Sequence, residues 1–274
     1  MIETFEFIEN RAIITLAGPD RKSLLQGIIT NDINGLKDDQ GLYAALLSPQ
    51  GKFLHDFFLF EKDDIIYLDC EKARMEDLFR RLLMYRLRSA VEIIDQSAKY
   101  NVITSKMQIE NAFISFKDPR HDDMGFRAIV EKLPQNLSND NGYHMRRISL
   151  GIAEGTNDFI VDKSTLGEGH FEQIHGLDFN KGCYVGQEVT ARMKYRGSLK
   201  KALFPVNLAG DTPEFGTPII DDNDAKVGHI RSSCDHKAIA LFALKSLTFN
   251  KDYHCGDIKI TPYKPNWMED TDHD

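Results

Sequence analysis

From about residue 201 the chain changes texture. Leu203 to Leu208, Thr217 to Ile220, Ala225 to Ile230, Ala238 to Leu244 and Asp257 to Thr261 are short apolar runs separated by Gly, Asp and Asn turns. Runs of four to seven residues are too short for stable helices. At this spacing they bury their apolar faces only by closing on one another, as a small β-barrel or sandwich. Upstream, strands mix with helices at irregular intervals rather than in strict β-α-β alternation, which indicates an α+β region. A chain of 274 residues is long for one hydrophobic core. The expected division is an α+β region over 1–200, a β-domain over 201–265 and a disordered acidic tail over 266–274.

Within the first region, residues 11–17 read as a strand and Gly18-Pro19-Asp20 as a helix start, with Pro19 at the first helical position. Leu42 to Leu47 and Phe53 to Phe60 read as paired strands joined by the turn Ser48-Pro49-Gln50-Gly51. Ile65 to Asp69 is a third. Met75, Leu78, Phe79, Leu82 and Leu83 recur at helical spacing and predict a helix over 71–86. Short strands are expected near 91–95, 100–104, 111–116 and 126–131, a loop over 134–142, and helices over 143–150 and 187–196.

A net charge of −8 argues against broad duplex binding, which needs a basic field. No run of eighteen apolar residues offers a membrane span. The acidic first ten residues resemble neither a secretory signal nor an Arg-rich transit peptide, so a cytoplasmic location is expected. The four cysteines, Cys70, Cys183, Cys234 and Cys255, form no C-x-x-C pair, and no metal site is expected. Cys70 ends an apolar run and reads as core. Cys234 and Cys255 lie among polar, turn-like neighbours.

Cys183 is different. Lys181-Gly182-Cys183-Tyr184-Val185-Gly186-Gln187-Glu188 sets a cysteine between two glycines, two residues after a lysine and just before a helix. Helix-start amides and a nearby cation favour thiolate. The pattern describes either a displayed, activated thiol with Lys181 as its cation, or a small apolar side chain buried in a tight turn.

This octapeptide, continuing through Val189-Thr190-Ala191-Arg192-Met193 to Arg196-Gly197, resembles the signature of the YgfZ-type folate-binding proteins. These are also described as tRNA-modifying proteins, with mitochondrial relatives in iron–sulfur cluster assembly. Gly18-Pro19-Asp20, Leu24-Leu25-Gln26-Gly27, Thr30-Asn31-Asp32 and Leu47-Ser48-Pro49-Gln50-Gly51-Lys52 with Asp56 resemble the family's opening segments. The family is similar in fold to the glycine cleavage T-protein, an aminomethyltransferase. That implies three domains closed into a ring around tetrahydrofolate: two mixed α+β domains, partly interlaced, the second roughly over 91–145, and a C-terminal β-barrel.

The resemblance implies tetrahydrofolate, or a one-carbon derivative, as cofactor. Its amino edge needs a carboxylate. Glu168 is the candidate, although Leu166-Gly167-Glu168-Gly169-His170 lacks the family's proline and asparagine. T-proteins carry an Asp-Asp pair where this chain has His55-Asp56. His55 is either a proton-handling group or a satisfied structural histidine, and Asp56 either lines the opening or supports the hairpin. Tyr184 either stacks on a ring or fills the turn. Gln187, Glu188 and Arg192 complete the candidate folate contacts; Cys183 and Lys181 are the candidate catalytic pair. Three functions remain open: a folate-dependent factor for assembly or repair of iron–sulfur enzymes, supporting tRNA modification directly or indirectly; an aminomethyltransferase; and a non-catalytic folate or tRNA-binding module. The implied partners are folate, iron–sulfur client enzymes or assembly proteins, and tRNA, with no membrane.

Overall fold

A computed structural model describes residues 4–37, 40–138, 141–197 and 199–271. By packing density the chain separates into two compact units, Met1–Asp140 with Ile174–Val189, and Asn141–Gln173 with Thr190–Asp274.

The first unit holds strands β1 (Phe5–Phe7), β2 (Arg11–Ala17), β3 (Leu42–Leu47), β4 (Phe53–Lys62), β5 (Ile65–Glu71), β6 (Glu92–Asp95), β7 (Asn101–Ser105), β8 (Ile114–Lys117), β9 (Phe126–Val130) and β10 (Leu137–Ser138), with helices α1 (Arg21–Gln26) and α2 (Met75–Arg86). They form two five-stranded sheets, ordered β3-β4-β5-β2-β6 and β10-β1-β7-β9-β8. β1 leaves the N-terminus to join strands made a hundred residues later, pairing antiparallel with β7 and parallel with β10.

Alternation along the first sheet separates two chemistries. Ala12, Ile14 and Leu16 of β2, Phe57 and Leu59 of β4, and Ile66, Leu68 and Cys70 of β5 share an apolar core with Leu24 and Leu25 of α1 and Leu78 and Leu82 of α2. The opposite face is charged and aromatic. Asp69 accepts from Arg11 Nε and Arg127 Nε, each at 2.6 Å. Arg120 grips Asp118 through Nε at 3.0 Å and Nη2 at 2.7 Å. The guanidiniums of Arg127 and Arg120 lie 4.2 and 4.7 Å from the Phe58 ring centre. Ions this deep persist only because each is paired and hydrogen-bonded.

His55 and Asp56 are neighbours on β4 and therefore point to opposite faces. His55, 4% exposed, meets Asp77 Oδ2 of α2 at 2.9 Å through Nε2. Asp77 also takes Arg74 Nη2 at 3.0 Å and Arg81 Nε at 2.9 Å. Burial is the largest influence on the imidazole and brings its pKa down to about 4, with Asp77 opposing. The folded value lies below the unfolded one, so the unfolded chain binds more protons between them. Stability is full above about pH 6.5 and falls as pH drops toward 4, by about 3 kcal/mol in total. Denaturant titrations across that window should show a shallower acid slope for His55→Asn than for the wild-type chain. Equal slopes would mean that His55 is not the group responsible.

The second unit contains α3 (Gly142–Ser149), α4 (Gly155–Asp158), most of α5 (Gln187–Arg196) and a closed barrel of β11 (Lys201–Leu208), β12 (Pro218–Ile220), β13 (Lys226–Cys234), β14 (Lys237–Ala243), β15 (Tyr253–Cys255) and β16 (Ile258–Pro262), in the order β11-β14-β13-β12-β15-β16. Barrel closure leaves no unpaired edge.

Several expectations are corrected. Residues 141–173 pack with the barrel rather than with the first unit. His170 Nε2 lies 3.0 Å from Leu203 O, and Tyr263 Oη donates to Ser149 O at 2.9 Å. Pro19 lies ahead of α1, whose N-cap is Asp20. The expected tail is a 3-10 helix over Asn266–Thr271, with Met268 buried and Trp267 Nε1 donating to Leu150 O at 2.8 Å; its last part, 272–274, lies outside the described residues. The loop 134–142 contains β10; its residues 139–140 also lie outside them. Cys234 and Cys255 are buried, because they are the last residues of β13 and β15 and the turns begin only after them. No helix among the described residues is long and apolar enough to cross a membrane.

Candidate functional site

The cysteine loop is fastened to the first unit by one cation. Lys181, 7% exposed, donates from Nζ to Gln26 O at 2.9 Å, Ile29 O at 2.7 Å and Asn31 O at 2.7 Å. These carbonyls lie at the last residue of α1 and just beyond it, where the chain leaves the helix and its acceptors need donors. Burial draws the ammonium's pKa down to about 8 against the pull of Asp32 and Asp178, so it stays charged at neutral pH. All three of its protons point at carbonyls, which makes Lys181 the holder of the loop.

Neighbouring contacts fix the same junction. Thr30 Oγ1 donates to Gly176 O at 2.7 Å and accepts from Ala45 N at 2.8 Å. Asn31 Nδ2 donates to His175 O at 2.7 Å and Tyr43 O at 2.9 Å. Val185 N donates to Gly27 O at 3.3 Å, and the Val185 side chain packs on the apolar core. Gly186 has φ +84°, and a Cβ there would stand 2.6 Å from Ser48 O, so only glycine fits against the β3–β4 hairpin.

Between these two anchors the chain is turned outward. Cys183 is exposed, whereas Cys70, Cys234 and Cys255 are buried. Around Gly182 a Cβ would meet nothing within 4 Å. Tyr184 is buried, its ring centre 5.1 Å from Lys181 Nζ. Cys183 is thus displayed at the surface rather than buried in a tight turn.

The remaining candidates are distributed as follows. Gln187 and Glu188 open α5, the first half-buried and the second exposed. Asp56 is 3% exposed and accepts from Tyr43 Oη at 2.6 Å within the charged layer between the two sheets. Glu168 stands half-buried on the 3-10 turn Leu166–Gly169 of the second unit, and Arg192 is exposed on α5. The structure thus brings Lys181, Cys183 and Tyr184 together on one loop of the first unit and sets Glu168 and Arg192 in the second. Thr30 and Asn31, read only as part of a resemblance, prove to bind the 175–176 carbonyls. Arg231 of β13 gave no signal at all, being one polar residue in an alternating strand.

The likeness to solved structures decides the architecture. The chain superposes on the glycine cleavage system aminomethyltransferase T from Bartonella henselae with a TM-score of 0.77, covering 97% of this chain and 86% of that one at 12% identity. The fold is that of the T-protein. Residues 200–270 match the family model of the CAF17 C-terminal beta-barrel domain, in agreement with the T-protein-like barrel described above.

Among curated proteins, the chain is similar to the mitochondrial iron–sulfur cluster assembly factor IBA57 homologue of Neurospora crassa, 30% identical over 76% of this chain and 54% of that one. It is 28% identical to the Dictyostelium discoideum homologue over 73% of this chain and 61% of that one. The Mus musculus factor is 26% identical over 95% and 84%. The chain therefore spans a little over half the length of the fungal relative.

These relatives correct the expected cytoplasmic location, since each is named as mitochondrial. That expectation rested on the first ten residues lacking a leader, and such a lack carries no compartment. At 12% identity the T-protein likeness extends to the fold alone, which supports many chemistries.

Proposed function

We propose that this protein is an iron–sulfur cluster assembly factor that binds tetrahydrofolate or a one-carbon derivative and acts through the thiol of Cys183. The observation that carries the reading is the exposed cysteine on a loop pinned at one end by Lys181 and at the other by Gly186. Thiolates hold iron and sulfide, and one thiolate is too few to own a cluster. The cluster is then a substrate shared in passing with a client enzyme or assembly protein. The similarity to IBA57 homologues supports the same assignment.

The residues fit folate in one specific respect. Glu168, half-buried on a short turn, offers a carboxylate to the amino edge of the ring. Bound tetrahydrofolate supplies a one-carbon carrier or an electron donor. Tyr184, buried beside Cys183 in the sequence of the loop, positions the thiol. A role in tRNA modification is indirect, through a client iron–sulfur enzyme, because a chain of net charge −8 lacks the field for tRNA.

Calorimetric titration with tetrahydrofolate tests the cofactor: we expect saturable binding that weakens by about 10- to 100-fold in Glu168→Gln, the loss of one charged hydrogen-bonding pair. No binding heat from the wild-type chain would reject folate. Restoration of an iron–sulfur enzyme in cells deprived of their own assembly factor tests the cluster half, and failure to restore would reject it. Aminomethyl transfer, the activity named for the T-protein whose fold this chain shares, is the second reading. Against it, His55 faces α2 and is held by Asp77. Formation of methylenetetrahydrofolate from an aminomethyl-lipoyl carrier would revive it.

A further inference from the structure

Arg231 is a buried cation without a counter-ion. It lies on β13 with 5% of its surface exposed. Its one hydrogen bond, Nη1 to Ile230 O, is long at 3.4 Å, and its buried Nε has no hydrogen-bond partner. Among the described residues no carboxylate forms an ion pair with it. One face of the guanidinium is closed by Phe215, whose ring centre lies 5.1 Å away. Burial lowers its pKa, and the charges of Asp158 and Glu168 oppose that from a distance. Asp158 is already committed to Arg147 Nη1, Glu154 N and the Ser232 hydroxyl.

An unpaired guanidinium is expensive to bury, and the other deep arginines of this protein are all paired. A second orphan belongs to the same unit. The hydroxyl of Thr165, which begins the turn carrying Glu168, is buried with no hydrogen-bond partner. Two buried polar groups left open in one unit, with a carboxylate on the turn that one of them begins, would suit a ligand edge of mixed character. It presents donors to the carboxylate and an acceptor oxygen to the arginine.

We propose that Arg231 is a specificity residue that receives the ring oxo group of a 2-amino-4-oxo heterocycle whose amino edge is taken by Glu168. The inference rests on the folate reading above and sharpens it: a pterin carries two N–H donors and one oxygen in a row, so Glu168 alone satisfies only the donor part. The pairing makes the site select against 4-amino analogues, which offer Arg231 an N–H in place of the oxygen. A site whose buried donor is left unmatched discriminates more strongly than an apolar pocket.

The test compares the tetrahydro forms of folate and of 4-aminofolate on the wild-type protein and on Arg231→Met. The wild type should prefer the oxo form, and in R231M that preference should fall by about 10- to 100-fold. R231M should melt no lower than the wild type, because an unpaired buried charge has been replaced by an apolar side chain of similar reach. An unchanged preference with folate binding intact would overturn the role of Arg231 alone, as would equal weakening of both ligands, which would place the arginine on the anionic tail. Lowered thermal stability with unaltered preference would make the residue structural. Absence of tetrahydrofolate binding by the wild type would remove the folate reading and this inference with it.

Discussion

Replacing Cys183 by serine should abolish maturation of an iron–sulfur client enzyme while leaving the melting temperature unchanged. Both halves follow from the geometry. The side chain is exposed and a Cβ placed at the adjacent Gly182 would meet nothing within 4 Å, so exchanging sulfur for oxygen disturbs no packing. The hydroxyl, however, is a far poorer iron ligand and nucleophile than a thiolate. The measurement is client activity in cells lacking their own factor, paired with a thermal melt of the purified variant. Full client activity from Cys183→Ser would end the case for sulfur chemistry at this loop. The buried cysteines serve as controls. Burial raises the thiol pKa of Cys70, Cys234 and Cys255, and serine at those positions should affect stability before activity.

Lys181→Met should produce the opposite pattern, a large loss of stability. The variant keeps the aliphatic stem and removes three charged hydrogen bonds at once. The carbonyls of Gln26, Ile29 and Asn31 are then left without their donor where the loop covers them. A loss of about 3–5 kcal/mol is expected, which lowers the melting temperature by roughly 6–15 °C in a domain of this size. Arginine should not rescue it. Its flat fork cannot aim three donors at carbonyls converging on one ammonium. A melting curve within a degree or two of the wild type for Lys181→Met would show that the loop is held by something else. Client activity should fall as well, through loss of the display of Cys183 rather than through loss of chemistry.

These two variants also mark what a sequence can and cannot disclose. The octapeptide pointed to Cys183 because two glycines beside a cysteine and a helix start are local features. The helix begins at Gln187 as read, and the β3–β4 hairpin turns at Ser48 to Gly51. Five of the six barrel strands were legible, because alternating apolar runs between turn residues have few other solutions. β15 escaped because Tyr253–Cys255 is three residues long and has no pattern of its own. Lys181 was visible as a cation near the thiol, but its acceptors lie some 150 residues upstream and no spacing reveals them. The same holds for residues 266–271, whose docking depends on Leu150 O receiving Trp267, and for the packing of 141–173 on the barrel. Arg231 is the extreme case. What sets it apart is an absent partner, a property that only the folded arrangement possesses.

The placement of β1 carries a consequence for how such a molecule is made. Phe5–Phe7 is made long before its partners, yet it lies inside its sheet, flanked by β7 and β10. It must wait for some 130 further residues before both of its neighbours exist. Loss of Phe5–Phe7 would therefore strand the two-residue β10 and leave the border of β7 bare for stray chains to join.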